Sequence, residues 1–251
     1  MESNMIKLYQ LSGYWGIPSP SPFCMKLETY LRMANIEYES YSILDPLAAP
    51  QNRMAPKSKI PFVEIDKQLI GDSDFIIELL KKKFGDAIDN ELSRSEKAMG
   101  LTIKRMFEDH YFWAMVYSRW FDEAVWAVTS KDFFGGLSWP LQKIIPILRK
   151  KRMGKVLYHQ GIGRNTQKEI YDPAKKDLDA FVEILADKAF VFGDQPTTID
   201  AVAHGFLVNT MHVPFEYELK HHSLQYDSLR SYCDRMNKLF YPDQASEVFN
   251  G

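Results

Sequence analysis

The chain has 251 residues, 45% apolar and 25% charged, which excludes disorder as its main state. Its 31 Lys and Arg against 33 Asp and Glu leave a net charge of −2, so no nucleic-acid partner is expected. Two distant cysteines, Cys24 and Cys233, exclude a disulfide framework and a zinc cluster. No apolar run approaches the roughly 18 residues that span a bilayer, so no transmembrane segment is expected. Met1–Lys7 lacks the hydrophobic length of a secretory signal, and a cytoplasmic location is expected.

In chain order, Met5–Gln10 reads as a strand, and Leu11–Pro20, broken by two glycines and two prolines, as a loop. Pro22–Ala34 carries apolar residues at helical spacing, with Ser21 as N-cap and Pro22 at the first helical position. Glu37–Ser42 reads as a second strand and Pro46–Ser58 as a long connection. Ile60–Ile65 and Gln68–Ile70 read as two more strands around a turn at Asp66-Lys67, followed by a helix over Ser73–Phe84. Beyond Leu92 no strand is legible. One long helical stretch is expected over Ser95–Ser130, then helices over Pro140–His159, Thr166–Lys188, Thr198–Met211 and Gln225–Leu239. The composition shifts near Gly85 from mixed to all-helical. The expected division is 1–84, a linker over 85–92, and 93–251.

The order of the first elements is that of a thioredoxin-like fold. Ser21-Pro22-Phe23-Cys24 stands where glutaredoxins carry Cys-Pro-aromatic-Cys, with Ser replacing the first Cys. A dithiol cycle is therefore impossible there. A hydroxyl at a helix start can instead hydrogen-bond another molecule's thiolate. Ionising a thiol of pKa about 8.5 at neutral pH takes roughly 2.7 kcal/mol. A charge-assisted hydrogen bond gives about 1.5–3 kcal/mol, and a helix N-terminus about 0.3–1 kcal/mol. Taken alone, Ser21 reads first as a plain N-cap.

Pro61 opens a strand that otherwise looks central, which is a misfit unless its backbone has a special role. Its place in the fold predicts a cis Ile60–Pro61 bond that presents the Ile60 backbone to an extended peptide. Asp72-Ser73 opens a helix. Its N–H groups and hydroxyl suit a carboxylate and Asp72 an ammonium, although simple capping explains the pair as well. Thr197-Thr198-Ile199-Asp200 is a capping box and reads as structural.

The stretches Pro18–Met33, Lys59–Glu64, Gly161–Arg164 and Gly193–Asp200 together resemble the glutathione S-transferase superfamily over nearly the whole chain. More narrowly they resemble its failed axon connections and metaxin-like branch. The resemblance implies an α/β thioredoxin-like N-terminal domain that binds glutathione, an all-α C-terminal domain and a homodimer. It implies Ser21 as the thiolate-stabilising catalytic residue, with Ile60, Pro61, Asp72, Ser73 and Lys59 as glutathione-binding residues. Arg53 and Lys57 are further candidates for the glycyl carboxylate. Tyr9 is a rival activator, though it reads better as a strand residue. Cys24 reads as a buried, inert thiol.

Eleven of the aromatic rings fall between Phe107 and Trp139. His110, Trp113, Tyr117 and Trp120 share one helical stripe, either a plain core face or a wall of a pocket for an electrophile. Tyr14, Trp15 and Arg119 are further candidates for that pocket. Arg149-Lys-Lys-Arg152 reads as a solvated helix end or a contact for an anionic partner. No metal spacing is present. The expected activity is transfer of glutathione to a small apolar or aromatic electrophile in detoxification. The alternatives are a non-catalytic interaction or assembly module, and a glutathione-dependent isomerase, dehalogenase or lyase for one metabolite.

Overall fold

A computed structural model describes residues 5–11, 13–43 and 55–243. The candidate Arg53 and most of the Pro46–Ser58 connection lie outside the described residues. Four strands, β1 (Ile6–Gln10), β2 (Tyr38–Ser42), β3 (Phe62–Ile65) and β4 (Gln68–Gly71), form one sheet in the order β2-β1-β3-β4. β2 runs parallel to β1 because α1 (Pro22–Met33) makes the crossover, while β3 and β4 are antiparallel neighbours joined by a short turn. Alternation along the strands sets the two faces. Ile6, Leu8, Val63 and Ile65 lie under α1 and α2 (Ser73–Phe84), whereas Tyr9 and Phe62 face the other side with Ile43.

The register matters for function. Tyr9 of β1 pairs with Phe62 of β3, which pairs with Gly71 of β4. The loop that follows β1, the peptide that precedes β3 and the turn that follows β4 therefore leave the same end of the sheet.

The helical part contains α3 (Arg94–Arg105), a π-helical segment (Met106–Tyr111), α4 (Phe112–Phe121), α5 (Glu123–Phe134), α6 (Leu141–Gln160), α7 (Gln167–Leu185), α8 (Thr198–Met211), α9 (Glu218–Ser223) and α10 (Asp227–Phe240). The single helix expected over Ser95–Ser130 is thus interrupted twice. The π segment inserts Phe107 and Tyr111 into the core. Asp122 then leaves the helical conformation (ψ 122°), caps α5 through the Ala124 and Val125 N–H groups, and accepts from the Tyr171 hydroxyl at 3.1 Å. α7 ends at Leu185, short of the expected Lys188, because Ala186 turns left-handed (φ 48°). The short helix α9 was not legible in the sequence.

α8 is the axis of the assembly, buried from Ile199 to Met211. Its start is fixed by Asp200, whose carboxylate accepts from the Val191 and Thr197 N–H groups and from the Thr197 and Tyr232 hydroxyls. Burial still pushes this carboxyl above its ordinary pKa. The first domain joins the helices through a second buried set. Thr29 of α1 contacts His204 of α8 at 3.2 Å and Tyr241 at 3.0 Å.

Candidate functional site

Ser21 is the N-cap of α1. Its hydroxyl accepts from the Cys24 N–H at 3.4 Å, and its own N–H donates to the Ser19 hydroxyl at 3.2 Å. The Ile60–Pro61 bond is cis. Phe62 rather than Ile60 begins β3, so Ile60 and Pro61 stand just outside the sheet. Asp72 is the N-cap of α2 in a positive-φ conformation (85°), accepting from Asp74 N–H at 3.2 Å, and Ser73 behind it is buried. The register described above brings Ser21, Ile60-Pro61 and Asp72-Ser73 to one end of the sheet, with two helix N-termini among them.

Lys57 lies 3.7 Å from the Asp72 carboxylate and over the Phe75 ring at 4.1 Å. Lys59 is exposed beyond it. Tyr9 is on the far face of the sheet from α1; its hydroxyl donates to Glu64 at 3.4 Å, and burial raises its pKa. Cys24 is buried, and burial pushes its thiol up to about 11. That holds it as an unreactive thiol.

The segment before Ser21 is gripped from the helical part. Arg119 of α4 donates to the Pro20 carbonyl, and to the Asn209 carbonyl and side-chain oxygen at 3.2 and 2.8 Å. Asn209 in turn donates to the Ser19 carbonyl at 3.1 Å. Burial lowers the Arg119 pKa to about 10, and its hydrogen-bond acceptors are all neutral. A cation therefore sits one peptide from the Ser21 hydroxyl.

Trp15 closes this corner. It has a left-handed backbone (φ 60°) in the tight turn from Tyr14 to Ile17, a conformation a bulky residue adopts only when its surroundings impose it. Those surroundings are Asp132, which accepts from its indole N–H at 2.7 Å, the rings of Phe133 and Phe215 at 5.1 Å, and the Arg119 guanidinium at 5.1 Å. Tyr14 packs on Phe133 at 5.5 Å.

The aromatic stripe does not act as one wall. Phe112 and Arg119, seven residues apart, share the face of α4 that meets α1, where Phe112 lies 4.9 Å from Phe23. Trp113, Tyr117 and Trp120 are turned away from that face by roughly 100° per residue. Tyr117 stacks on Phe121 and meets Tyr171 of α7, Trp120 stacks on Trp126 of α5, and Trp113 packs against Phe112. His110, on the π segment, is half-exposed and bonded to Asp177 of α7 at 2.5 Å. Of the expected pocket residues, the structure brings Tyr14, Trp15 and Arg119 together and places the other four elsewhere. The π segment shifts the helical phase of His110 relative to Trp113, whereas Trp113, Tyr117 and Trp120 keep i, i+4 and i+7 spacing on a face of α4 that does not meet α1.

Sequence reasoning missed Asn209, Asp132 and a buried ion cluster. Lys26 of α1, fully buried, bonds Asp74 of α2 and, at 2.6 Å, Glu108 of the π segment; Lys104 reaches Asp74 at 2.6 Å. Burial raises the Glu108 pKa. For Asp74, burial is outweighed by Lys26 and Lys104, and the pKa is lowered. A lysine between Phe23 and Leu27 on an otherwise apolar face was the available signal for this cluster.

Comparison with known proteins matches residues 22–125 to a glutathione S-transferase N-terminal domain and residues 174–236 to a glutathione S-transferase C-terminal domain. The chain is 31% identical over 244 residues to the isoprene-epoxide glutathione S-transferase of Rhodococcus sp. (strain AD45), covering 94% of this chain and 99% of that one. It is 29% identical to failed axon connections of Drosophila melanogaster, covering 96% of this chain and 59% of that protein, and 22% identical to human metaxin-2, covering 94% and 88%. Among solved structures, a β-etherase from Sphingobium sp. strain SYK-6 superposes with a TM-score of 0.65 at 14% identity, covering 98% of both chains, and so shows the same fold. The chain belongs to the glutathione S-transferase superfamily, in the branch that includes failed axon connections and the metaxins.

Proposed function

We propose that this protein binds glutathione at the sheet end marked by Ser21, Pro61 and Asp72, and transfers the whole glutathionyl group, through its sulfur, to a small apolar electrophile. What carries the reading is the junction of two helix N-termini with a buried cation. Ser21 opens α1, Asp72-Ser73 opens α2, and Arg119 bonds the peptide before Ser21. The γ-glutamyl carboxylate would meet the Ser73 end of α2 and its ammonium Asp72. The cysteinyl backbone would pair with Ile60, and Lys57 or Lys59 would take the glycyl carboxylate. The Ser21 hydroxyl would then donate to the thiolate, with the Arg119 charge favouring the ionised form. The thiolate attacks an electrophilic carbon and the leaving atom departs with the bonding pair. Trp15, Tyr14 and Phe133 offer an apolar surface for that carbon skeleton. The Rhodococcus relative is named for an isoprene epoxide, which is small and apolar. A cytoplasmic homodimer acting in detoxification belongs to the same reading.

The experiment is calorimetry with glutathione at millimolar concentrations, followed by turnover with a panel of epoxides and halides. Binding with turnover supports the reading; absence of binding overturns it.

A second reading, a non-catalytic interaction module, draws support from the kinship with failed axon connections and metaxin-2. A cavity of about 450 Å³ also lies between α5 and α6, away from Ser21. Glutathione binding without turnover on any electrophile would favour it.

A further inference from the structure

The α5–α6 hairpin has a feature that glutathione chemistry does not use. From Phe133 to Arg164 the chain holds seven Lys and Arg and no Asp or Glu. With a net charge of −2 for the whole chain, the remaining residues carry −9. This basic segment also holds seven of the fourteen large apolar side chains that are exposed among the described residues. Trp139 at the hairpin tip is 73% exposed, and Ile144, Ile147 and Leu148 in the first half of α6 are 48%, 68% and 56% exposed. The last three stand at i, i+3 and i+4 and so share one side of the helix. Single exposed apolar residues need no explanation, but a contiguous group of them does.

Apolar side chains crowd the tip and the first two turns of α6, where Lys143 is the one cation, and Arg149-Lys150-Lys151-Arg152 and Lys155 follow, with Val156 and Tyr158 also exposed in the second half. The second half of the helix is anchored where Gly154 lets the Phe121 ring of α4 approach. Behind it the cavity between α5 and α6 is lined by Lys131, Lys143, Lys150 and Lys151, with Trp126 and Ile147 and without a carboxylate. Lys150 is held over the Trp126 ring at 4.9 Å and the Phe121 ring at 5.5 Å.

We propose that this hairpin is a peripheral docking element for the surface of an anionic phospholipid bilayer. Charge complementarity selects the occupant. A second copy seated face to face would bring two strongly basic segments together, since a twofold contact pairs each patch with itself. A bilayer surface supplies phosphates at one depth and acyl chains just below, and that order matches the cationic collar and apolar tip. Tryptophan suits the boundary between the two layers. Lysine stems lie along apolar surface while their ammoniums reach the phosphates. No helix among the described residues is long and apolar enough to cross a membrane, so the attachment is to the surface.

The test uses the full-length protein and sedimentation with two vesicle types, phosphatidylcholine alone and phosphatidylcholine mixed with phosphatidylserine. The protein is expected to pellet with the mixed vesicles, not with the neutral ones, and to be released as salt is raised. Lys143→Gln and Lys151→Gln are each expected to lower partitioning about fivefold. Ile147→Ser with Leu148→Ser is expected to lower it at any salt. All these changes are at exposed side chains, so thermal melting and glutathione binding should hold. The proposal is overturned by failure to pellet with the mixed vesicles or by equal pelleting with neutral ones. It is also overturned if the protein ignores vesicles but sediments as a dimer that Ile147→Asp with Leu148→Asp dissociates, which would make the face an interface between copies.

Discussion

Gly205 of α8 lies directly against Pro22 of α1: a Cβ at position 205 would stand 2.6 Å from the Pro22 carbonyl oxygen and 3.0 Å from the Lys26 nitrogen. The two helices that join the domains can cross this closely only because the residue has no side chain. The contact is with backbone, which cannot swing aside. Gly205→Ala is expected to destabilise the fold by about 1–3 kcal/mol, read as a lowered denaturant midpoint. Gly136→Ala, at a glycine with open space around it, serves as a control and should leave the midpoint nearly unchanged.

Ser21 has two separable roles. Ser21→Ala removes the cap on α1, costing about 1 kcal/mol, and removes the proposed donor to the thiolate. Ser21→Asp keeps a capping acceptor but sets a negative charge beside the sulfur. Both variants are expected to raise the pKa of bound glutathione, followed by ultraviolet thiolate absorbance. Ser21→Ala should slow turnover about tenfold to a hundredfold, matching a charge-assisted hydrogen bond of about 1.5–3 kcal/mol. Ser21→Asp should slow it more while melting close to the parent. Unchanged thiolate absorbance in Ser21→Ala would leave Ser21 as a cap alone.

Arg119 supports the peptide before Ser21 through a fork of donors that a lysine cannot reproduce. Arg119→Lys is expected to keep the charge but lose the double contact with Pro20 and Asn209. Its effect should fall mainly on glutathione affinity. Arg119→Met removes the cation as well and should raise the bound thiol pKa. A titration in which the two variants behave identically would argue against an electrostatic role.

His204 gives the fold a pH dependence. It is fully buried, with Nδ1 against the Thr29 hydroxyl at 3.2 Å and Nε2 against the Asn237 side-chain oxygen at 2.7 Å. Burial lowers its pKa to about 4 from an ordinary 6.5. Between those values the unfolded chain binds a proton that the folded one refuses, so stability rises with pH across that window. Acidification from pH 6.5 to 4 is expected to remove about 3 kcal/mol through this group. His204→Gln should flatten that part of the profile, measured by urea unfolding at several pH values.

Asp200 holds four donors in a buried site at the start of α8. Asp200→Ala leaves those donors unpartnered and is expected to cost about 3 kcal/mol or more. The corresponding loss at an exposed capping box, Glu96→Ala beside Ser93, should be well under half of that. Thermal melts of the two variants check the ratio.

Local signals were enough for the elements around the site. Ser21-Pro22 marked the start of α1, Asp72-Ser73 the start of α2, and Thr197–Asp200 the start of α8, because a cap announces itself within four residues. The partition of the long helix was not legible. Nothing in the residues Met106–Tyr111 announces a π turn, and only the structure shows that Phe107 and Tyr111 enter the core there. Asp122 reads as one more helical residue until Tyr171, 49 positions later, arrives to share it. The π turn also takes His110 out of the stripe, to Asp177 of α7, while Trp113, Tyr117 and Trp120 stay at i, i+4 and i+7 on α4 and meet Phe112, Tyr171 and Trp126.

By itself the sequence determined the four strands, the starts of α1, α2 and α8, the cis proline and the family, since each rests on residues close together in the chain or on the order of such groups. Tertiary structure alone decided which side chains share a site. Arg119 meets Pro20 across 99 positions and Asn209 meets Ser19 across 190, and no local periodicity encodes such pairs. The run of cations between Phe133 and Arg164 is written in the sequence, but only packing shows that the apolar residues beside it are left facing solvent.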